Sequence, residues 1–254
     1  MKTYKYSDIL KYKKTIKDLY TKYSLNGSKM FITNYTVGEK FTVLASTEPG
    51  KKQKGITAFI LEKGDKGFKA GKKLEKMGMR SSDTGELILE DVKIPDSRRL
   101  GNINEGFINT LMMLDKGRIG IGALSLGLAE GALEESLKYV NQRETFGKLL
   151  REHQAIDFML ADMKVEIEAA KLLIMRAASL ADEGKPYTLE ASIAKLYASE
   201  MAMRVCSKAI QIHGGYGYTR EFPVERMLRD AKLCEIGEGT SEIQRLVISR
   251  EILK

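Results

Sequence analysis

Pro95-Asp-Ser-Arg-Arg-Leu-Gly101 is where the chain changes period. Upstream of it, short runs rich in β-branched and aromatic residues are separated by polar, glycine-containing turns; downstream, apolar residues recur at helical spacing over long stretches. On the upstream side Phe41–Ala45, Gly55–Glu62, Phe68–Met77 and Glu86–Ile94 read as strands. Asn26-Gly27, between Tyr23–Leu25 and Ser28–Thr33, is the residue pair that most strongly favours a two-residue hairpin turn. On the downstream side Glu105–Gln142, His153–Gly184 and Thr188–His213 read as long helices, and Pro223–Leu233 and Thr240–Leu253 as shorter ones. Thr188-Leu-Glu190 reads as a capped start. The expected fold is therefore α+β and multidomain: an antiparallel β barrel or sandwich over residues 1–102, then an antiparallel four-helix bundle over residues 103–254.

A chain of 254 residues with 43% hydrophobic and 30% charged content can form two modest globular domains. No apolar stretch approaches the roughly 20 residues that span a bilayer. Met1–Asp18 is lysine-rich without the apolar core of a secretory leader, so a soluble, intracellular, cytoplasmic location is expected. The two cysteines, Cys206 and Cys234, stand in helical segments without metal-ligand spacing, which predicts small buried hydrophobes and no metal site. The net charge of +8 is uneven: residues 1–102 hold 22 Lys/Arg against 12 Asp/Glu. Aromatics are not interleaved with these lysines, so a nucleic-acid partner is not expected, while a solvated lysine face or an anionic small ligand is. Gly120-Ile-Gly122-Ala-Leu-Ser-Leu-Gly127 has the wrong spacing for a dinucleotide loop and follows no strand, so it reads as small residues for close helix packing.

Four stretches in order carry a resemblance. They are Leu25-Asn-Gly-Ser-Lys-Met-Phe-Ile-Thr-Asn34; Lys76-Met-Gly-Met-Arg-Ser-Ser-Asp-Thr84; Arg143-Glu-Thr-Phe-Gly-Lys148 with His153-Gln154; and Gln211-Ile-His-Gly-Gly-Tyr-Gly217 followed by Ile236-Gly-Glu-Gly-Thr-Ser-Glu-Ile-Gln-Arg245. Ser7-Asp8 sits at the matching distance before Asn26-Gly27. Together they resemble the acyl-CoA dehydrogenase family, in which these parts build a middle β domain and a C-terminal helical domain. The resemblance implies FAD-dependent α,β-dehydrogenation of a short- to medium-chain acyl-CoA to the trans-2-enoyl-CoA. It further implies electron-transfer flavoprotein as the electron acceptor and a homotetramer built as a dimer of dimers.

That chemistry needs a base for the α-proton, polarisation of the thioester carbonyl, and a hydride acceptor that no side chain supplies. Glu238 is the candidate base: it precedes Gly239 and a Thr240-Ser241 pair able to cap a helix, at a junction from which a carboxylate can reach a substrate. Seclusion from water there would raise its pKa. The plainer reading is a carboxylate favouring the helix dipole. The family resemblance favours the base, because the alternative base position of another branch falls on Gly117, which carries no functional group. The resemblance also implies that the backbone N–H of this glutamate and a flavin ribityl hydroxyl hold the thioester oxygen. By the same resemblance Phe31, Ile32 and Thr33 lie beside the flavin ring. Arg143 reaches the FAD pyrophosphate of a neighbouring subunit, and Phe146, Gln154, Gln211, Ile212, His213, Gly214, Gly215, Thr240, Ser241 and Glu242 complete the cofactor set. Asp115, Lys116, Gly117, Arg118 and Gly239 would contact the acyl-CoA. His153 and His213 are expected to be polar loop and helix contacts, not catalysts.

The family's N-terminal helical domain and the first segment of its β domain have no counterpart before Ser7-Asp8. The rival expectation is therefore a truncated, non-catalytic remnant that only oligomerises or binds flavin or CoA.

Overall fold

The computed structural model describes residues 21–254; Ser7-Asp8 and the lysine-rich stretch to Asp18 lie outside the described residues. The chain forms two compact units, one running up to Glu75 and including Arg80–Leu111, the other comprising Lys76–Met79 and Met112–Lys254.

In the first unit β1 (Thr21–Thr33), β2 (Lys40–Ser46), β3 (Ile56–Glu62), β4 (Phe68–Lys73), β5 (Thr84–Pro95) and β6 (Arg99–Leu100) form two antiparallel three-stranded sheets, ordered β1-β5-β4 and β2-β3-β6. Alternate residues of both sheets point into one core: Leu25, Leu87, Leu89, Val92 and Ile94 from the first, Phe41, Val43, Phe59 and Leu61 from the second. Two half-covered sheets closing on one apolar layer is a sandwich, one of the two architectures, barrel or sandwich, that the patterning left open.

The hairpin expected at Asn26-Gly27 is not formed. β1 runs straight through it as one 13-residue strand paired with β5. The register steps from Leu25↔Val92 to Gly27↔Leu89, so β5 spends one residue more than β1, a β-bulge. Asp91 carries the bulge at φ +52° and Gly27 opposes it at φ +129°, a conformation that a side chain would strain. The Asn26 side chain accepts from the Asp91 N–H at 2.8 Å and donates to its carboxylate at 3.0 Å. Asn-Gly thus accommodates a kink within a strand, using the same conformational freedom that would have served a reversal. β4 also stops at Lys73, short of the expected Met77.

The second unit takes in α1 (Gly106–Val140) from Met112 onward, α2 (Gln154–Asp182), α3 (Thr188–His213), α4 (Val224–Cys234) and α5 (Ser241–Ile252). These five α-helices stand at the positions that the period predicts. α3 is the hub: Ala191, Ala194, Ala198, Met201, Ala202, Val205, Cys206 and Ala209 are all buried along it, and their small size lets neighbouring helices approach closely. Gly122 makes the same kind of close contact with Ile174, whereas Gly120 and Gly127 face open space. Segment Lys76–Met79 belongs here because α4 claims it: Asp230 accepts from the Met79 N–H and Arg229 donates to the Met77 carbonyl at 2.9 Å. Cys206 and Cys234 are free and buried, and burial pushes the Cys206 thiol up to about 12.

Replacing Asn26 with Ala removes both bonds that stabilise the bulge and is expected to lower stability by about 1 kcal/mol in chemical denaturation, with the fold retained.

Candidate active site

Glu238 sits on the loop between α4 and α5, with φ +55°, in the sparsely populated left-handed region; Gly239 follows at φ +96°. Two buried side chains hold this strained pair. The Lys195 ammonium, from the third turn of α3, donates to the Gly239 carbonyl at 2.7 Å. The Gln244 amide, from α5, donates to the same carbonyl at 2.9 Å and to the Glu238 carbonyl at 3.3 Å. Thr240 caps α5, its hydroxyl accepting from the Ile243 N–H, as its sequence position predicts. Glu242 in the first turn has its carboxyl held below the ordinary range by the local backbone N–H and the Thr240 hydroxyl.

The Glu238 carboxylate reaches Gly117 on α1: a Cβ built at Gly117 would collide with its Oε2. The two positions weighed for a base therefore share one place in space, and the glycine leaves room for the glutamate. The seclusion expected for Glu238 is not present in this chain, where the side chain is exposed. Of the expected substrate contacts, Lys116 is exposed, while Asp115 and Arg118 face each other, Nη1 to Oδ1 at 2.5 Å. Arg118 reaches Ser192 at 3.3 Å, and Asp115 accepts from the Thr188 hydroxyl at 2.6 Å. Thr188 does not cap α3, because it is already the first helical residue; Tyr187 occupies the cap position without a side-chain bond. Arg118 Nε, Ser241 Oγ and Gln244 Oε1 are buried without a protein partner.

A second assembly gathers the other expected residues of this unit. Arg143, Gln211, Ile212, His213, Gly214 and Gly215 line a cavity of about 510 Å³ together with Tyr139, Thr145 and Thr219. Arg143 leads into a tight hairpin, Glu144–Thr145 against Lys148–Leu149, whose two turn residues Phe146 and Gly147 both have positive φ, the type I′ geometry. Phe146 projects from its tip almost wholly exposed. Gln154 opens α2 and is exposed. Gly214 and Gly215 have open space where a Cβ would stand, so backbone is available to a close-lying ligand. His213 ends α3 with its ring stacked on Tyr139 at 4.3 Å. Its Nδ1 lies 2.8 Å from the Ala209 carbonyl, which can only accept, so Nδ1 carries the hydrogen. His153 meets Thr145 at 3.1 Å, a polar contact of the kind expected. In the other unit, Phe31–Thr33 form the end of β1, where Phe31 turns to φ +61° and is largely exposed.

The acyl-CoA dehydrogenase C-terminal domain model matches residues 104–253, and the middle domain model of the same family matches residues 5–92. The chain belongs to the acyl-CoA dehydrogenase family. It is 50% identical over 232 residues to the short-chain-specific acyl-CoA dehydrogenase of Clostridium acetobutylicum, covering 91% of this chain and 61% of that protein. It is 48% identical over 240 residues to a subunit of the caffeyl-CoA reductase–Etf complex of Acetobacterium woodii, covering 94% and 63%. Among solved structures, butyryl-CoA dehydrogenase from Megasphaera elsdenii superposes with a TM-score of 0.90 at 51% identity, over 91% of this chain and 61% of that one. The chain thus spans about three-fifths of the relatives' length.

Lys195 was not singled out in the sequence, and Gln244 was quoted only within the Ile236–Arg245 stretch, with no role of its own. A signal existed for the lysine: its helical neighbours at three and four residues, Ala191, Ser192, Ala198 and Ser199, are all small, which marks a lysine on the buried face.

Burial holds His213 below its ordinary pKa, against a smaller opposing effect from the Ala209 carbonyl. The folded state therefore binds this proton less readily than the unfolded chain, and stability is lost as pH falls through the unfolded value near 6.5. The melting temperature is expected to drop between pH 7.5 and 5.5, and less so in His213→Phe, which keeps the ring stack and cannot titrate.

Proposed function

We propose that this chain carries the catalytic base and part of the cofactor site of a FAD-dependent acyl-CoA dehydrogenase acting on short- to medium-chain substrates. The observation that carries the reading is the contact of Glu238 with Gly117: a carboxylate on a fixed, strained loop occupies the space that a side chain on α1 would otherwise fill. In this reading Glu238 takes the proton from Cα of the thioester. The backbone N–H of the same residue steadies the carbonyl oxygen as negative charge develops on it. A bound flavin supplies the acceptor for the hydride that leaves Cβ, giving the trans-2-enoyl-CoA. Gly239 adjoins the thioester, and Asp115, Lys116, Gly117 and Arg118 form the neighbouring wall of the acyl-CoA site.

The cavity lined by Arg143 and Gln211–Gly215 fits the phosphate-bearing part of FAD. It offers an arginine fork, glycine backbone open to close approach, and apolar surface. Phe31, Ile32 and Thr33 are assigned to the flavin ring by family resemblance, and Phe146, Gln154, Thr240, Ser241 and Glu242 to its remaining contacts. A homo-oligomer, a dimer of dimers, is part of the reading. Phe158, Val165, Leu172 and Met175 are spaced by seven, seven and three residues on α2, and all are more than half exposed, the pattern of a helix face awaiting a partner. Electron-transfer flavoprotein is the proposed acceptor, supported by the relative that works as a subunit of an Etf complex. No described helix is long and apolar enough to cross a membrane, and two free cysteines fit a reducing, cytoplasmic setting.

Butyryl-CoA is expected to bleach the flavin absorbance of the purified protein, and Glu238→Gln to slow that bleaching about 10³-fold with flavin still bound. A protein that never takes up flavin would instead support the non-catalytic remnant. Gly117→Ala, which sets a methyl group against the Glu238 carboxylate, is expected to slow bleaching about 10²-fold while leaving thermal stability near that of wild type.

A further inference from the structure

We propose that Lys195 is a positioning residue for Glu238, aiming the carboxylate through the carbonyl of the next residue. The inference rests on the reading of Glu238 as the base. Lys195 lies in the third turn of α3 with no exposed surface, and its ammonium donates to the Gly239 carbonyl at 2.7 Å. An ammonium buried among alanines and serines is costly to keep in an ordinary helix core, and an apolar side chain would serve packing better. Burial pulls the Lys195 ammonium below the ordinary lysine range, with Cys234, Glu235 and Glu200 opposing that and Arg118 adding to it. What the lysine gains there is a carbonyl adjoining the one non-glycine residue with positive φ in the segment from Cys234 to Ser241.

The bonds on either side of that carbonyl do not fix Glu238. Gly237 N–H to the Leu233 carbonyl at 2.8 Å and Ser241 N–H to the Glu235 carbonyl at 3.0 Å anchor the ends of the loop. Between them the peptide planes after Glu238 and after Gly239 are set by Gln244 and Lys195. In a trans peptide the carbonyl and the following N–H point in opposite directions. With both carbonyls drawn onto buried donors, the N–H groups of Gly239 and Thr240 are turned the other way. The backbone of Glu238 is thereby held where relaxation to an ordinary φ would break these bonds. Misplacement of a reacting group by about 1 Å can slow a reaction about 10²-fold, so the anchor acts on rate while leaving substrate affinity largely alone.

The test compares flavin-loaded wild type with Lys195→Met, Gln244→Leu, Glu238→Gln and the double variant Lys195→Met/Glu238→Gln, following flavin bleaching by butyryl-CoA in single turnover. Amide hydrogen exchange over residues 235–241 is measured in parallel on ligand-free protein. Lys195→Met is expected to bleach about 10²-fold more slowly, with half-saturation within about threefold of wild type and faster exchange in the loop. The double variant is expected to be no slower than Glu238→Gln alone, because a residue that acts through another adds nothing once that other is gone. Lys195→Met at wild-type rate, or a double variant slowed by both factors in full, overturns the proposal. If Lys195→Met does not fold, Gln244→Leu decides: slowing of about 10-fold with faster loop exchange supports the anchor, and a wild-type rate overturns it. Glu238→Gln at wild-type speed would overturn the base assignment and this inference with it. A slow Glu238→Gln beside a normal Lys195→Met would overturn the inference alone.

Discussion

The bond from a buried ammonium to a loop carbonyl, Lys195 Nζ to Gly239 O, is the constraint on which the conformation of the Glu238–Gly239 loop rests. A non-glycine residue at positive φ carries a local cost of about 1–3 kcal/mol, and a loop free to relax would shed it. Here relaxation would leave a buried cation and the buried amide of Gln244 short of acceptors, a penalty at least as large. The strain is thus held in place by groups that have nowhere else to turn. α3 is suited to this because its neighbours are small: a lysine side chain can lie along a helix lined with alanine and serine and reach across to the next element.

Much of the fold was legible because its cause is local. A switch from period 2 to period 3.6 at Pro95–Gly101 separates strands from helices, and the observed elements follow the expected ones to within a few residues at most ends. The failures are of one kind. Asn26-Gly27 supplies the backbone freedom for a turn, but whether the chain reverses depends on what pairs beyond it. β5 was already the partner on both sides of Gly27, so reversal had nothing to gain. β4 ends early for a similar reason: residues past it are held by Asp230 and Arg229, more than 150 positions away, and no local pattern announces such a claim. Thr188 has the right residue type for a cap, yet α3 already includes it, the cap position falls on Tyr187, and the Thr188 hydroxyl donates to Asp115 of another helix.

The site divides along the same line. The Thr240 cap was legible because one short segment makes its geometry, whereas Phe146-Gly147 entered only as motif residues and their type I′ turn was not foreseen. Residues that act from a distance were not legible. Lys195 belongs to no motif with the loop it holds, and the small residues around it mark it as buried without saying what it grips; Gln244 lies within the quoted Ile236–Arg245 stretch, but nothing in that stretch assigns it the grip on Glu238 and Gly239. Asp115 and Arg118 were read as surfaces for a ligand, and the structure shows them first as partners of each other and of α3.

Gly117 and Glu238 connect these two levels. In the sequence they are 121 positions apart, as the numbering itself gives, and they enter as alternative locations for one function. In the structure they are alternative fillings of one volume, since a side chain on the helix and the carboxylate from the loop cannot both stand there. Function of this kind constrains a position in space more tightly than a position in the chain. A carboxylate can be delivered to it from either element, provided the other withdraws. What then distinguishes the two solutions is the support each needs. A base on a helix inherits its direction from the helix, whereas one on a loop requires its own anchor; in the proposed reading of Glu238, the side chains that meet that need are Lys195 and Gln244, both bonded to the Gly239 carbonyl.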